Sequence, residues 1–448
     1  MTLQKQTRRA VLKTLAATPV LTSLSALDCW AATMLAETGK RPRVAAIYTS
    51  FTYRSHAHVL LENFLEPYLF CGKKTDPGVE VVSMYRDQQP AGDMTDQVSK
   101  QYGIPVFKTI REAVCVGGDK LAVDAVLSIA EHGNYPVNDR GQRMYPRKRF
   151  FDEIVAVMKE SKQFVPLFND KHLSYRFDWA KEMVATARQY NIPFLAGSSV
   201  PLAQRRPEIA IKKGARIVQA ISIHGGPVES YDFHALEILQ SMVENRRGGE
   251  TGVKRLTFYE GDQVYQAAKA GIFDMELADA AMTAELGHSI EDFGKLEGED
   301  EITPHAIVFD YVDGLKATIL RVGTSSTRWN FACRIKGNVA PLATSFYVGP
   351  WRNRNLFKAL AHSIQTHFRN GSAPYPVERT LLVSGMLDSA MQGRLALGHP
   401  LHTNHLHISY KSPDHSALRE NGDSWKFITE AIPEPERFDN GLPAEFKK

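Results

Sequence analysis

The sequence predicts an α/β protein of two domains: a parallel sheet wound with helices on both faces, followed by an α+β domain with a large open, mostly antiparallel sheet. Three observations predict it. Between Arg43 and Ala196 short β-branched runs alternate with helical stretches, the signature of βαβ units. Between Ala306 and Val348 four extended runs are separated only by turn signals such as Asp313-Gly314 and Lys336-Gly337-Asn338. A chain of 448 residues is also too long for one core at roughly 100–200 residues per domain.

In the first domain, Val44 to Ile47 reads as the opening strand. A helix from Ser55 to Phe70 follows, with Val59, Leu60, Phe64 and Leu65 near helical spacing. Strands come next at Val79 to Met84, Ile104 to Phe107 and Asp124 to Ile129, with short helices at Met94 to Tyr102 and Ile110 to Val114. A polar loop, Glu131 to Arg149, interrupts the rhythm; its length and its place at a strand end mark it as functional or disordered. A helix at Phe150 to Lys159, a strand at Phe164 to Phe168, a helix at Asp178 to Gln189 and a strand at Pro193 to Ala196 complete the unit. The second domain opens with a strand at Ala215 to Ile223, a helix at Tyr231 to Asn245 and a strand at Val253 to Tyr259. The four runs after Ala306 then build a sheet expected to have one covered face.

A hydrophobic fraction of 43% and a charged fraction of 23% are those of a globular protein and exclude wholesale disorder. Lys5, Arg8, Arg9 and Lys13 against Asp28 supply three of the four net positive charges, so no basic face for nucleic acid is expected elsewhere. Arg8-Arg9 before a weakly apolar stretch reads as a twin-arginine signal peptide over residues 1–36. This implies the translocase of that route as a partner and a periplasmic location, or a membrane tether if the signal stays uncleaved. The remaining division is 41–203 for the first domain, 204–412 for the second and 413–448 for a polar tail that wraps over the body or stays partly loose. The scattered cysteines, with no CxxC, read as buried thiols.

Four segments carry the chemistry. The turn after the first strand reads Thr49-Ser50-Phe51-Thr52-Tyr53-Arg54-Ser55-His56; after the second strand comes Arg86-Asp87; after the fifth comes Asp170-Lys171-His172; and after Gly225-Gly226 comes Ser230-Tyr231-Asp232-Phe233-His234-Ala235-Leu236-Glu237. In element order and in these remnants the chain resembles the Gfo/Idh/MocA family of oxidoreductases over roughly residues 43 to 410. The resemblance implies a Rossmann-type NAD(P)-binding domain and a substrate and oligomerisation domain. It implies that Thr49, Ser50, Ser55 and His56 face the cofactor phosphates, in a turn where the family has glycines and this chain has none. Arg86, where the family usually has an acid, suits a 2′-phosphate and favours NADP over NAD. Asp170 and Lys171 match the first two positions of the Glu-Lys-Pro motif, and His234 with Asp232 falls in the family's second signature. The catalytic set implied is Lys171, His234 and Asp232, exchanging a proton with a substrate hydroxyl.

The function expected is an NAD(P)-dependent oxidoreductase acting on a sugar, cyclitol or glycoside hydroxyl. The alternative is a non-redox descendant, either carbohydrate-binding or a cofactor-free lyase or isomerase, motivated by the glycine-free turn. A homo-oligomer is implied by analogy, since open sheets of this kind pair face to face. The histidines from His399 to His407 include His405 and His407, which share one side of an extended Asn404 to Tyr410, but no acid or cysteine stands at ligand spacing and no metal is expected.

Overall fold

The computed structural model describes residues 40–447; the proposed signal, 1–36, lies outside them. The first domain runs β1 (Arg43–Tyr48), α1 (His56–Leu65), β2 (Tyr68–Phe70), β3 (Lys73–Thr75), β4 (Glu80–Arg86), α2 (Thr95–Tyr102), β5 (Val106–Phe107), α3 (Ile110–Val114), β6 (Ala125–Ile129), α4 (Arg147–Ser161), β7 (Leu167–Asp170), α5 (Phe177–Gln189) and β8 (Phe194–Gly197). Six of these strands form a parallel sheet in the order β5-β4-β1-β6-β7-β8. The order reverses at β1 and β6, and the crevice beyond their carboxyl ends is where ligands bind in such sheets. β6 is buried along its whole length and β1 from its second residue onward, as a sheet covered on both faces requires.

The helix expected to reach Phe70 stops at Leu65. Glu66 is extended because Pro67 follows, and the residue before a proline is pushed out of the helical region. The hairpin β2–β3 then turns on Cys71 and Gly72, both at positive φ.

The second domain runs β9 (Gln204–Arg206), β10 (Ile217–His224), α6 (Ser230–Val243), β11 (Val253–Glu260), α7 (Asp262–Lys269), α8 (Met275–Leu286), β12 (His305–Tyr311), β13 (Lys316–Arg321), β14 (Trp329–Ile335), β15 (Leu342–Tyr347), α9 (Leu356–Asn370), α10 (Glu378–Gly393) and β16 (Leu401–His402). Its eight strands are ordered β16-β11-β12-β13-β10-β14-β15-β9, antiparallel except for the β10–β13 pair. Both faces are covered, where one was expected. Ile307, Phe309, Ala317, Ile319 and Phe331 join the main core, while Ile221, Ile223, Val308, Leu320 and Val322 pack under Val264 of α7 and Leu277, Ala281 and Met282 of α8. The second of these faces is thus occupied by this chain's own helices.

α9 lies against α1, and α10 against α5 and α6, so the last long helices tie the domains together. The segment Asn404–Leu406 is a single 3-10 turn rather than an extended run, and His405 Nε2 meets Ser389 Oγ at 3.1 Å. Among the described residues no metal-ligand group forms there. Cys115 and Cys333 are buried free thiols and Cys71 is half-buried. Among the described residues no helix is long and apolar enough to cross a membrane.

Candidate active site

Two adjoining cavities, of about 260 and 270 Å³, open between the domains at the carboxyl ends of the parallel strands, and Lys171 lines both. Lys171 directly follows β7, with φ of 62°, and its amide donates to the Gly197 carbonyl at 3.2 Å. A non-glycine residue in the left-handed region costs of order 1–3 kcal/mol and persists where its surroundings hold it. Here Glu131 holds it, with Oε1 3.0 Å from Lys171 Nζ. The other carboxylate oxygen of Glu131 binds the buried Arg147, whose second nitrogen meets His172 Nε2 at 3.0 Å. Burial alone would raise the Glu131 carboxyl, but Lys171 and Arg147 outweigh it and hold it well below the usual carboxylate range. Glu131 and Arg147 both come from the polar loop that the sequence marked out without assigning its residues.

His234 enters the first cavity from α6. Its Nδ1 lies 2.6 Å from Ser198 Oγ, which leaves Nε2 for a ligand. Ser198 can donate or accept, so either neutral tautomer is satisfied. Burial first, then the charges of Lys171 and His56, lower the His234 pKa well below its ordinary value, so the ring is neutral and, with Nδ1 protonated toward Ser198, its Nε2 lone pair is free to accept a ligand's hydroxyl. Tyr231 stacks on Trp329 with centroids 4.9 Å apart, and both line the same cavity with Phe357 and Asn353. The start of α6 needs Gly226, where a Cβ would lie 2.0 Å from the Tyr231 ring.

Asp232 does not reach the cavity, which corrects the catalytic role expected of it. It is fully buried; Oδ1 accepts from His224 Nε2 at 3.0 Å and from His305 Nε2 at 2.8 Å, and Oδ2 from the Glu229 amide at 2.8 Å. Residues two apart on a helix point to different sides, so His234 and Asp232 cannot share the site. The ligand atoms of His224, Asp232 and His305 lie within 4.8 Å of one another, as a metal would need. However, His224 Nδ1 accepts from the Gly226 amide at 3.3 Å, which puts the proton on Nε2, facing Asp232. The three residues read as a hydrogen-bonded clamp at the start of α6.

The residues expected at a cofactor divide. His56 lines the first cavity, and its Nδ1 bonds Asp170 Oδ2 at 2.6 Å, bringing two of them together. Ser55 caps α1, accepting from the His58 amide at 3.4 Å. Thr49 and Ser50 are buried, and Thr49 spends both donors on its own chain: its amide on the Ile129 carbonyl at 3.2 Å and its hydroxyl on the Glu131 carbonyl at 2.6 Å. The Phe51 amide donates to Asp93 Oδ2 at 3.0 Å, the Arg54 amide to His58 Nδ1 at 2.8 Å and the His56 amide to His132 Nδ1 at 3.4 Å. Arg86, expected at a 2′-phosphate, pairs with Asp93 at 3.3 Å and Asp96 at 2.9 Å. As arranged, the phosphate end of a dinucleotide site does not fit a dinucleotide, whereas the end that holds Lys171 and His234 is open to a ring-sized ligand.

No protein-family model matches the sequence, and no curated protein matches it. Solved structures do match in shape. GenD2 from gentamicin A biosynthesis, in complex with NAD, is similar at 11% identity over 82% of this chain and 97% of its own, with a TM-score of 0.52. Apo scyllo-inositol dehydrogenase from Lactobacillus casei is similar at 11% identity over 82% and 99%, with a TM-score of 0.51. A myo-inositol dehydrogenase from Corynebacterium glutamicum is similar at 12% identity over 82% and 99%, with a TM-score of 0.51. At such identity the likeness establishes the fold, a Rossmann-like parallel sheet followed by a mostly antiparallel one as in the Gfo/Idh/MocA proteins, and the chemistry rests on the residues.

Proposed function

We propose that this protein is an oxidoreductase acting on a hydroxyl of a sugar, cyclitol or glycoside, exported in folded form by the twin-arginine route to the periplasm. One observation carries the reading: a buried lysine fixed by Glu131 and a neutral histidine backed by Ser198 line one cavity at the strand ends. The cavity of about 260 Å³ is the size for one sugar ring rather than a chain of them, and the Tyr231–Trp329 wall suits the apolar face of such a ring. His234 Nε2 takes the hydroxyl proton, and the Lys171 ammonium stabilises the negative charge that develops on the oxygen.

The dehydrogenases of the same fold favour a nicotinamide dinucleotide, NAD or NADP, as the oxidant, while the residues above account for the proton only. The carboxylate of Asp93 at the phosphate turn favours a second reading, a cofactor-free lyase, isomerase or carbohydrate-binding protein. Denaturing the protein purified from its native compartment and measuring released NAD(P) separates the two. Stoichiometric nucleotide supports the redox reading; none, with no binding of added NAD(P)H, moves the protein to the second.

A further inference from the structure

The two cavities at the strand ends are divided by the same three element ends, and each of these sends neighbouring residues to opposite sides. After β6, Glu131 lines the second cavity and His132 the first. After β7, Lys171 lines both and His172 the second. At the start of α6, Glu229 and Ser230 line the second, Tyr231 and His234 the first. Tyr231 and His234, three apart on the helix, share one face, while Ser230 beside them turns to the other cavity.

Each of the three junctions holds a non-glycine residue at positive φ: His132 at 70°, Lys171 at 62° and Glu229 at 72°. A Cβ is strained there, and such residues persist where their surroundings hold them. The strain falls on the partition itself, where the backbone must carry a side chain to one cavity or the other and glycine would supply none.

The second cavity is charged yet balanced. Arg143 and Lys171 bring two cations to its wall, Glu131 and Glu229 two anions. Arg143 Nη1 donates to the Tyr135 carbonyl at 2.7 Å, and among the described residues its other guanidinium nitrogens have no partner. Together with the Ser230 hydroxyl they set free donors beside carboxylate acceptors. Such a wall suits a neutral polyhydroxyl ring, whose hydroxyls both donate and accept, whereas an anion would meet Glu131 and Glu229 as like charges. At about 270 Å³ against about 260 Å³, the second cavity matches the first in size, so each takes one ring.

We propose that the two cavities are consecutive subsites for one glycoside. The ring that gives its proton to His234 lies in the first, and the sugar linked to it lies in the second, among Arg143, Glu229 and Ser230. Lys171 stands where the two rings join. The assignment rests on the reading of the first cavity as a sugar site, and narrows the substrate to a glycoside of at least two rings.

Titration calorimetry of the mature chain with glucose, myo-inositol, maltose and cellobiose tests it. At least one disaccharide is expected to bind tenfold or more tighter than either single ring, and Arg143→Ala is expected to lose that advantage. Hydrogen exchange gives a measure that needs no variant: the tighter disaccharide should slow exchange across residues 137–145, and glucose should not. Single rings bound as tightly as both disaccharides, or a disaccharide that leaves 137–145 unprotected, overturn the second subsite and leave the reading of the first cavity in place. An equal loss for single rings and disaccharides in Arg143→Ala overturns the second subsite as well. No binding of any of the four overturns both.

Discussion

That Lys171 and His234 would line the cleft was legible because each lies in a motif remnant near the end or the start of an element. Glu131, Arg147 and Ser198 were not, since a partner that comes from another strand end leaves no spacing in the sequence. Replacing Lys171 with Ala is expected to lower kcat roughly 100-fold or more while leaving ligand affinity within a few fold, because its ammonium acts on charge that develops during the reaction. Steady-state kinetics with the active sugar or cyclitol checks it; a change confined to KM would remove Lys171 from the chemistry. Glu237 gives a pH prediction. Burial raises its carboxyl to about 7 against the pull of Arg379 and Thr380, and Oε1 accepts from the Thr380 hydroxyl at 2.8 Å. The folded state therefore holds a proton that the unfolded chain loses near the ordinary carboxylate value. This contribution is complete below that value and is lost as pH rises through about 7, on the order of 3 kcal/mol in all. Melting temperatures from pH 4 to 8 should fall across this window in the native protein and stay flatter in Glu237→Gln; parallel curves would refute the assignment.

Helix α6 shows what an element must do for the site. Asp232 is expended on its first turn, clamped by His224 and His305 from the facing strands, so that Tyr231 and His234 are held toward the cavity. Removing it in Asp232→Ala leaves two buried imidazole donors without an acceptor and is expected to destabilise the fold by about 3–5 kcal/mol. Chemical denaturation measures this, and a loss below 1 kcal/mol would mean the clamp carries little. The sequence located α6 within two residues at each end, yet it misassigned Asp232, an acid standing at the signature's glycine position, because the helix turns that position away from the side that His234 faces. The end of α1 was misplaced for a comparable local reason, Pro67. α9 and α10 went unread altogether. Their apolar faces meet the first domain, so their pattern answers to partners some 200 to 300 residues away in the chain.

At the scale of the molecule, the parallel, helix-wound character of the first sheet and the antiparallel character of the second were legible, whereas the layer that α7 and α8 form over that second sheet was not. Alternation with apolar residues at both phases, as in Ala306 to Tyr311, is the mark of a strand buried on both faces, and it was read as a strand with one. A charge placed in the layer, as in Leu277→Asp, is expected to expose Ile221, Ile223, Leu320 and Val322 and to cause association visible by light scattering. A variant that remains as monodisperse as the native chain would show the layer to be dispensable. Residues 434–440, which pack over the turn between β1 and α1, have a different consequence, one of order in time. They leave the ribosome some 380 residues after residues 51–58, which they complete. The first domain therefore waits for its final contacts until the second has been made. A chain ended or clipped before residue 434 leaves the turn after β1 uncovered, and for a protein exported already folded, as proposed, residues 434–440 certify that the chain before them has been made.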